Sequence, residues 1–268
     1  VRRSLIFIGL VGLPLAIAAV AIAVWAWPAS LAEPLPPPRA PVLPDLAMSP
    51  LAELTGALAD DGDRYVQFTA SIGNVGAGPF VIHAERAEER GDWRLSQRFE
   101  EADGSTTETV TPGTLDWGGH GHDHWHVQLG ASYWLTRPGS DETLRKYEKV
   151  GYCFFDQSPL DVPGARPAPE FLAEGCAIEG DAITMGLSAG WADPYAWTLP
   201  DQRLNVNGLA DGVYRLWATA DPGGWFRESD ETNNLTWVDL RLATRGGLPV
   251  VTVVRQGPAG APVPGPPA

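Results

Sequence analysis

Apolar residues return at every second position through much of this chain, and the clearest case is Val66, Phe68, Ala70 and Ile72 with Gln67, Thr69 and Ser71 between them. Successive side chains on an extended backbone point to opposite faces, so this alternation predicts a strand with one buried face. "GNVGAG" then supplies turn residues and "PFVIHA" resumes the apolar pattern, which predicts a second strand after a connection. Further strands are expected at "GHDHWHVQL", "ASYWL", "VGYCFF", "GVYRLWATA" and "NLTWVDLRL". A sustained helical period is missing; only "SDETLRKYEKV", which starts at Ser140, is expected to form a turn or two of helix. Short strands separated by Gly, Pro, Asn and Asp predict an all-β fold, an antiparallel β-sandwich with little helix. Residues 156–203 are long and irregular for such a fold, and long ordered loops are where function concentrates.

The pattern changes at both ends. Arg2 and Arg3 precede an uncharged apolar run from Leu5 to Trp27, long enough as a helix to cross a hydrocarbon layer of about 30 Å. Residues 1–28 therefore read as an N-terminal apolar helix, either a membrane anchor or a signal segment cleaved near Ser30-Leu31-Ala32. In both cases the two arginines stay cytoplasmic and the rest of the chain is expected to work outside the cytoplasm. Residues 29–43 are a proline-rich linker, 44–254 the folded domain, and 255–268 a Pro/Gly-rich tail expected to be disordered. With only Cys153 and Cys176, an exported chain has one intramolecular disulfide open to it, and that bond is expected; the alternative is a pair of buried thiols. Closing that loop would stabilise the fold by roughly 3 to 4 kcal/mol on the chain-entropy model.

A formal charge of −14 argues against a nucleic-acid partner, whose phosphates would be repelled. Acidity keeps such a chain soluble, and it also favours cationic substrates.

Candidate chemistry begins with "HGHDHWH", which holds four of the five histidines: His120, His122, His124 and His126. On a strand all four project to one face, and neutral imidazoles there suit copper, zinc, iron or nickel. A flat strand would splay the outer rings, so three ligands from it require local twist or a bulge, which Gly118, Gly119 and Gly121 make accessible. The isolated His83 is expected to fill a surface or packing role. A second cluster, "RESDETNN", carries oxygen donors at Glu228, Asp230, Asn233 and Asn234. Oxygen ligands suit calcium, although the spacing by itself fits a polar hairpin turn equally well.

In order along the chain, "PDL", "HDHWH", "KVGYCFFD", "GLSAGWADPY" and "ESDETNN" resemble landmarks of the catalytic domain of the lysyl oxidases, copper amine oxidases that act on lysine side chains. The resemblance covers most of the folded part. It implies copper held by His122, His124 and His126, with His120 one step outside the set. It implies a lysine tyrosylquinone cofactor made from Lys149 and Tyr195, and a structural calcium held by Asp45, the Leu46 carbonyl, Glu228, Asp230, Asn233 and Asn234. Asp193 and Asp156 are the candidate catalytic bases, Asp193 lying two residues before Tyr195. Two departures stand out: animal members are rich in cysteine whereas this chain has two, and the tryptophan and histidine that precede their copper ligands are replaced by "DWGG".

The N-terminal segment implies a membrane-tethered or secreted protein, and the resemblance implies an oxidase that converts primary amines, lysine side chains among them, to aldehydes with molecular oxygen, releasing hydrogen peroxide and ammonia. The competing expectation is a non-catalytic β-sandwich module that binds copper, zinc or calcium. Lys149 and Tyr195 separate the two, because a metal-binding module needs neither.

Overall fold

The computed structural model describes residues 41–267 except 89–90, 102, 119–122, 150, 178–179 and 200, and except the side chains of 148 and 149. The expected apolar helix, most of the linker, His120 and His122 lie outside the described residues. No helix among the described residues is long and apolar enough to cross a membrane.

The fold is all-β, in several antiparallel sheets. The long strand β3 (Arg64–Asn74) organises the first. It pairs with β1 (Leu46–Met48) and β2 (Ala52–Leu58), and also with β13 (Trp191–Tyr195) and β14 (Arg203–Asn205). β11 (Ser158–Pro159) adds to β13. The second sheet runs β10 (Arg145–Lys149), β9 (Ala131–Thr136), β15 (Gly212–Ala220), β16 (Leu235–Arg245) and β17 (Leu248–Gln256). The third runs β12 (Ala182–Leu187), β4 (Phe80–Glu85), β5 (Arg94–Glu100) and β6 (Thr106–Val110). A short ribbon joins β7 (Leu115–Trp117) to β8 (Trp125–Val127).

Alternation does what it predicts in β3, where Val66, Phe68, Ala70 and Ile72 are all fully buried. Phe68 meets Tyr133 of β9 edge to face at 4.9 Å, and Phe80 of β4 meets Phe154 and Phe226 in the same way at 5.0 Å. One apolar core thus draws side chains from all three large sheets. His83 hydrogen-bonds Thr184 across β4 and β12 at 3.0 Å, a packing role. Cys153 and Cys176 form the expected disulfide.

Three expectations need correction. The segment after Ser140 is not helical: Arg145–Lys149 forms β10 on the edge of β9, with Tyr147 stacked on Tyr133. Ser140 Oγ accepts the Glu142 N–H in a local turn instead of capping a helix. An open sheet edge with an aromatic partner outweighs the weak local helix preference. "VGYCFF" is not a strand either; its described part makes only an isolated bridge, Tyr152 to Val127. Last, the chain does not leave the fold at 254. Arg255 ion-pairs with Asp239, itself held by Arg215, and the Pro/Gly-rich end folds back: Gly260 and Ala261 N–H groups bond Met48 O at 3.1 Å. Ala261 is buried beside Ala47, Leu160 and Ala192. Proline and glycine suit that end because it crosses other strands closely with few side chains to accommodate.

Candidate active site

Among the described residues of the expected strand at 121–129, only Trp125–Val127 forms a strand, β8. Leu129 turns the chain away with φ +57°, and on the other side Gly118 N–H bonds His124 O at 2.9 Å. This short, twisted ribbon brings His124 and His126 together. Their Nε2 atoms stand 2.8 Å apart and their rings meet edge to face at 4.4 Å. Two imidazole nitrogens at about 2.0 Å from one ion and at right angles to each other would stand about 2.8 Å apart, so the pair fits a metal as well as it fits a hydrogen bond. Among the described residues no three His, Cys, Asp or Glu side chains converge. Two of the three ligands that the resemblance implies are therefore side by side, and the third, His122, lies outside the described residues.

Trp125 points to the other face of the ribbon, where it packs on Trp93 and Trp117 at 5.0 and 5.1 Å and lies under the Arg86 guanidinium. Beside it opens a recess of about 350 Å³ lined in part by Arg86, Asp92, Trp93, Asp116 and Trp125. Asp116 lies directly opposite His126 in the β7–β8 register. Sequence reading passed over it because its partner is set by pairing, not by spacing.

The histidine ribbon is fastened to the segment that precedes the disulfide. Val127 N–H bonds Tyr152 O at 2.8 Å, and Tyr152 N–H bonds Val127 O at 2.9 Å. One residue on, Cys153 N–H donates to Tyr195 Oη at 3.0 Å. Tyr195 ends β13, opposite Ala70, and its ring lies 4.4 Å from that of Tyr152. The residue is partly exposed as a whole, yet its phenol group is enclosed. Burial first, and then the Asp193 charge, raise that phenol well above the ordinary tyrosine range. Asp193 is buried two positions earlier on the same strand, so it shares a face with Tyr195. Lys149 is the last residue of β10, opposite Ala131. Four residues later comes Cys153, so at most about 14 Å of backbone separates Lys149 from the N–H group that holds Tyr195.

Asp156 has a different part. Its carboxylate accepts hydrogen bonds from Glu170 N, Phe171 N, Ser188 N and Ser188 Oγ at 2.6 to 3.1 Å. Those bonds fasten the loop after it, which makes Asp156 a structural anchor and leaves Asp193 as the candidate base.

The oxygen cluster also assembles, in part. Asp45 accepts from Asn233 Nδ2 at 2.7 Å and from Ser229 Oγ at 3.0 Å. Glu228 accepts from the Leu46 N–H and from Asn234 Nδ2. Burial, above all, pushes the Glu228 carboxyl up to about 8. Asn233 Oδ1 and Asn234 Oδ1 are buried acceptors without a hydrogen-bond donor. Unpartnered oxygens next to buried carboxyls are the donor chemistry of a hard cation. Asp230 does not join them; it is exposed and accepts from Thr232 N–H and Oγ1 within its own turn. Comparison with protein-family models and with curated proteins returned no match.

Proposed function

We propose that this chain is a copper-dependent amine oxidase of the lysyl oxidase type, using a quinone formed from Lys149 and Tyr195. The observation that supports it best is the continuous set of bonds from the ribbon carrying His124 and His126, through Tyr152, to the Cys153 N–H on Tyr195 Oη. A metal-binding module would have no use for a buried tyrosine oxygen fastened to the segment that its histidines rest on. His122, His124 and His126 would hold the copper. Copper and the quinone supply the oxidising power and the electron sink when present.

The chain's own residues do the rest. The Cys153 N–H fixes the Tyr195 oxygen, and the surrounding aromatic rings exclude water from it. Asp193, buried two positions before Tyr195 on the same strand face, would be the base that takes a proton beside it. Asp92 and Asp116 line a recess next to the histidine ribbon together with Arg86, and their carboxylates would attract a primary ammonium group such as a lysine side chain. In this reading the finer architecture is a β-sandwich, supported by the Phe68 to Tyr133 contact between the two largest sheets. The apolar segment would anchor or export it.

To test the reading, the full chain is loaded with copper under air and examined for quinone absorbance, for loss of mass from the Lys149 to Tyr195 peptides, and for peroxide released on adding a primary amine. All three are expected. Copper bound at His124 and His126 without any of them would overturn the enzyme and leave the metal-binding module.

Calcium makes a separate expectation. Saturation at a hundredfold excess over the dissociation constant stabilises a folded state by about 2.7 kcal/mol. For a domain of this size that raises the melting temperature by roughly 5 to 10 °C. Asn234→Ala should abolish the calcium increment, measured as the difference between melts with calcium and with chelator; an undiminished increment would remove Asn234 from the site.

A further inference from the structure

Gly151 separates the strand that ends at Lys149 from the bridge at Tyr152, and two independent constraints meet there. Its backbone has φ +121°, in the region that side chains rarely adopt. A Cβ added at 151 would also lie 2.6 Å from His126 Cβ, 2.8 Å from Cγ and 2.9 Å from Nδ1, closer than real Cβ contacts come. The closest of these atoms, His126 Cβ, moves only with its own backbone, so residue 126 as a whole would have to yield and carry its imidazole with it. Its Nδ1 edge rests against Gly151 while its Nε2 points at His124 Nε2, 2.8 Å away. Directly after Gly151, the two hydrogen bonds between Tyr152 and Val127 hold the segment against the ribbon, so a shift that makes room for a Cβ strains that bridge.

We infer that Gly151 is a positioning residue for the metal: the missing side chain lets His126 sit close against the segment with Nε2 toward His124, and any Cβ there displaces His126 from ligating geometry. This rests on the reading that His124 and His126 hold copper. The placement has a further effect, because residues 151 to 153 are consecutive and Cys153 holds Tyr195. A shift of the His126 ring is thereby tied to a shift of the Tyr195 oxygen.

Backbone strain alone has to be separated from displacement of the imidazole. Gly164 allows that, since it has φ +80° and open space where a Cβ would go. Gly164→Ala carries the strain without the contact. The experiment compares wild type, Gly151→Ala and Gly164→Ala by copper titration and by nuclear Overhauser contacts in metal-free protein. Gly151→Ala is expected to lower copper affinity about 10- to 100-fold, the range seen when the groups that orient a ligating histidine are lost. It should also lose the contact between the His124 and His126 rings. Gly164→Ala should melt earlier and keep both. In wild type, the Gly151 Hα protons should show a contact to the His126 ring, a measurement that requires no variant to fold.

Wild-type affinity and ring contact in Gly151→Ala would overturn the inference, as would absence of the Gly151 to His126 contact in wild type. If wild type bound no copper, the oxidase reading would fall, whereas the ring contacts in metal-free protein would still decide whether Gly151 sets the His126 orientation.

Discussion

Tyr195→Phe is expected to remove amine oxidation, by about a thousandfold or more, while leaving the protein folded and its copper affinity unchanged. The substitution deletes one oxygen, and under the proposed function that oxygen belongs to the ring from which the quinone is made. The phenyl ring keeps its place against Tyr152, 4.4 Å away. What is lost structurally is the acceptor for the Cys153 N–H, now 3.0 Å from Tyr195 Oη. A buried donor left without an acceptor costs about 1 to 3 kcal/mol, so melting should drop by several degrees and no more. Amine-dependent peroxide, quinone absorbance and a thermal melt read the three parts separately. Activity above a tenth of wild type would show that Tyr195 is not the cofactor residue, whatever the melt does.

Removing the disulfide with Cys153→Ser and Cys176→Ser together should have the second largest effect, and it should act on two quantities. The bond closes a loop with a sequence separation of 23. A loop of that length restricts the unfolded chain by about 3 to 4 kcal/mol, equivalent to a melting temperature lower by on the order of 10 °C. The other quantity is quinone yield. Cys153 is tied on one side to Tyr195 through its N–H and on the other to the short 3-10 turn Ala173–Cys176 through its sulfur. Cutting the second tie frees the first, so quinone per copper should fall several-fold even at temperatures where the double variant is folded. Full quinone yield from a folded double variant would mean that the hydrogen bond alone holds the segment.

The strands most legible in the sequence are those with one buried face. β3 and β15 announce themselves by alternation, because their inner residues are buried and most of the outer ones are partly exposed, whereas β4 and β9 are covered on both faces and show as short apolar runs. β6 does not, since every residue of Thr106–Val110 is exposed and its pairing with β5 is an edge contact that leaves no apolar pattern. β10 was hidden for the opposite reason: its register on β9, not its own sequence, makes it a strand. In the site, the histidine spacing and the two cysteines can be read directly. Asp116, Gly151 and Tyr152 cannot, since each acquires its place from a partner 10 to 43 positions away, His126, His126 again, and Tyr195. Spacing along one strand carries information about a shared face, but it carries none about which distant segment crosses that face.

The contact between the first strand of the domain and its last described segment has a consequence for rearranging it. Gly260 and Ala261 hydrogen-bond Met48 O, and Ser49 Oγ donates to Pro262 O at 2.8 Å, so the last segment closes on the first strand of the domain. A domain whose first strand and last segment lie against each other can be joined there and opened elsewhere with little change in its contacts. The exposed turn at Gly246–Gly247, between β16 and β17, has two glycines in left-handed conformation with nothing packed against them, which marks it as the place to cut. A circular permutant opened there would keep the histidine ribbon, Lys149 and Tyr195 on one uninterrupted stretch of chain.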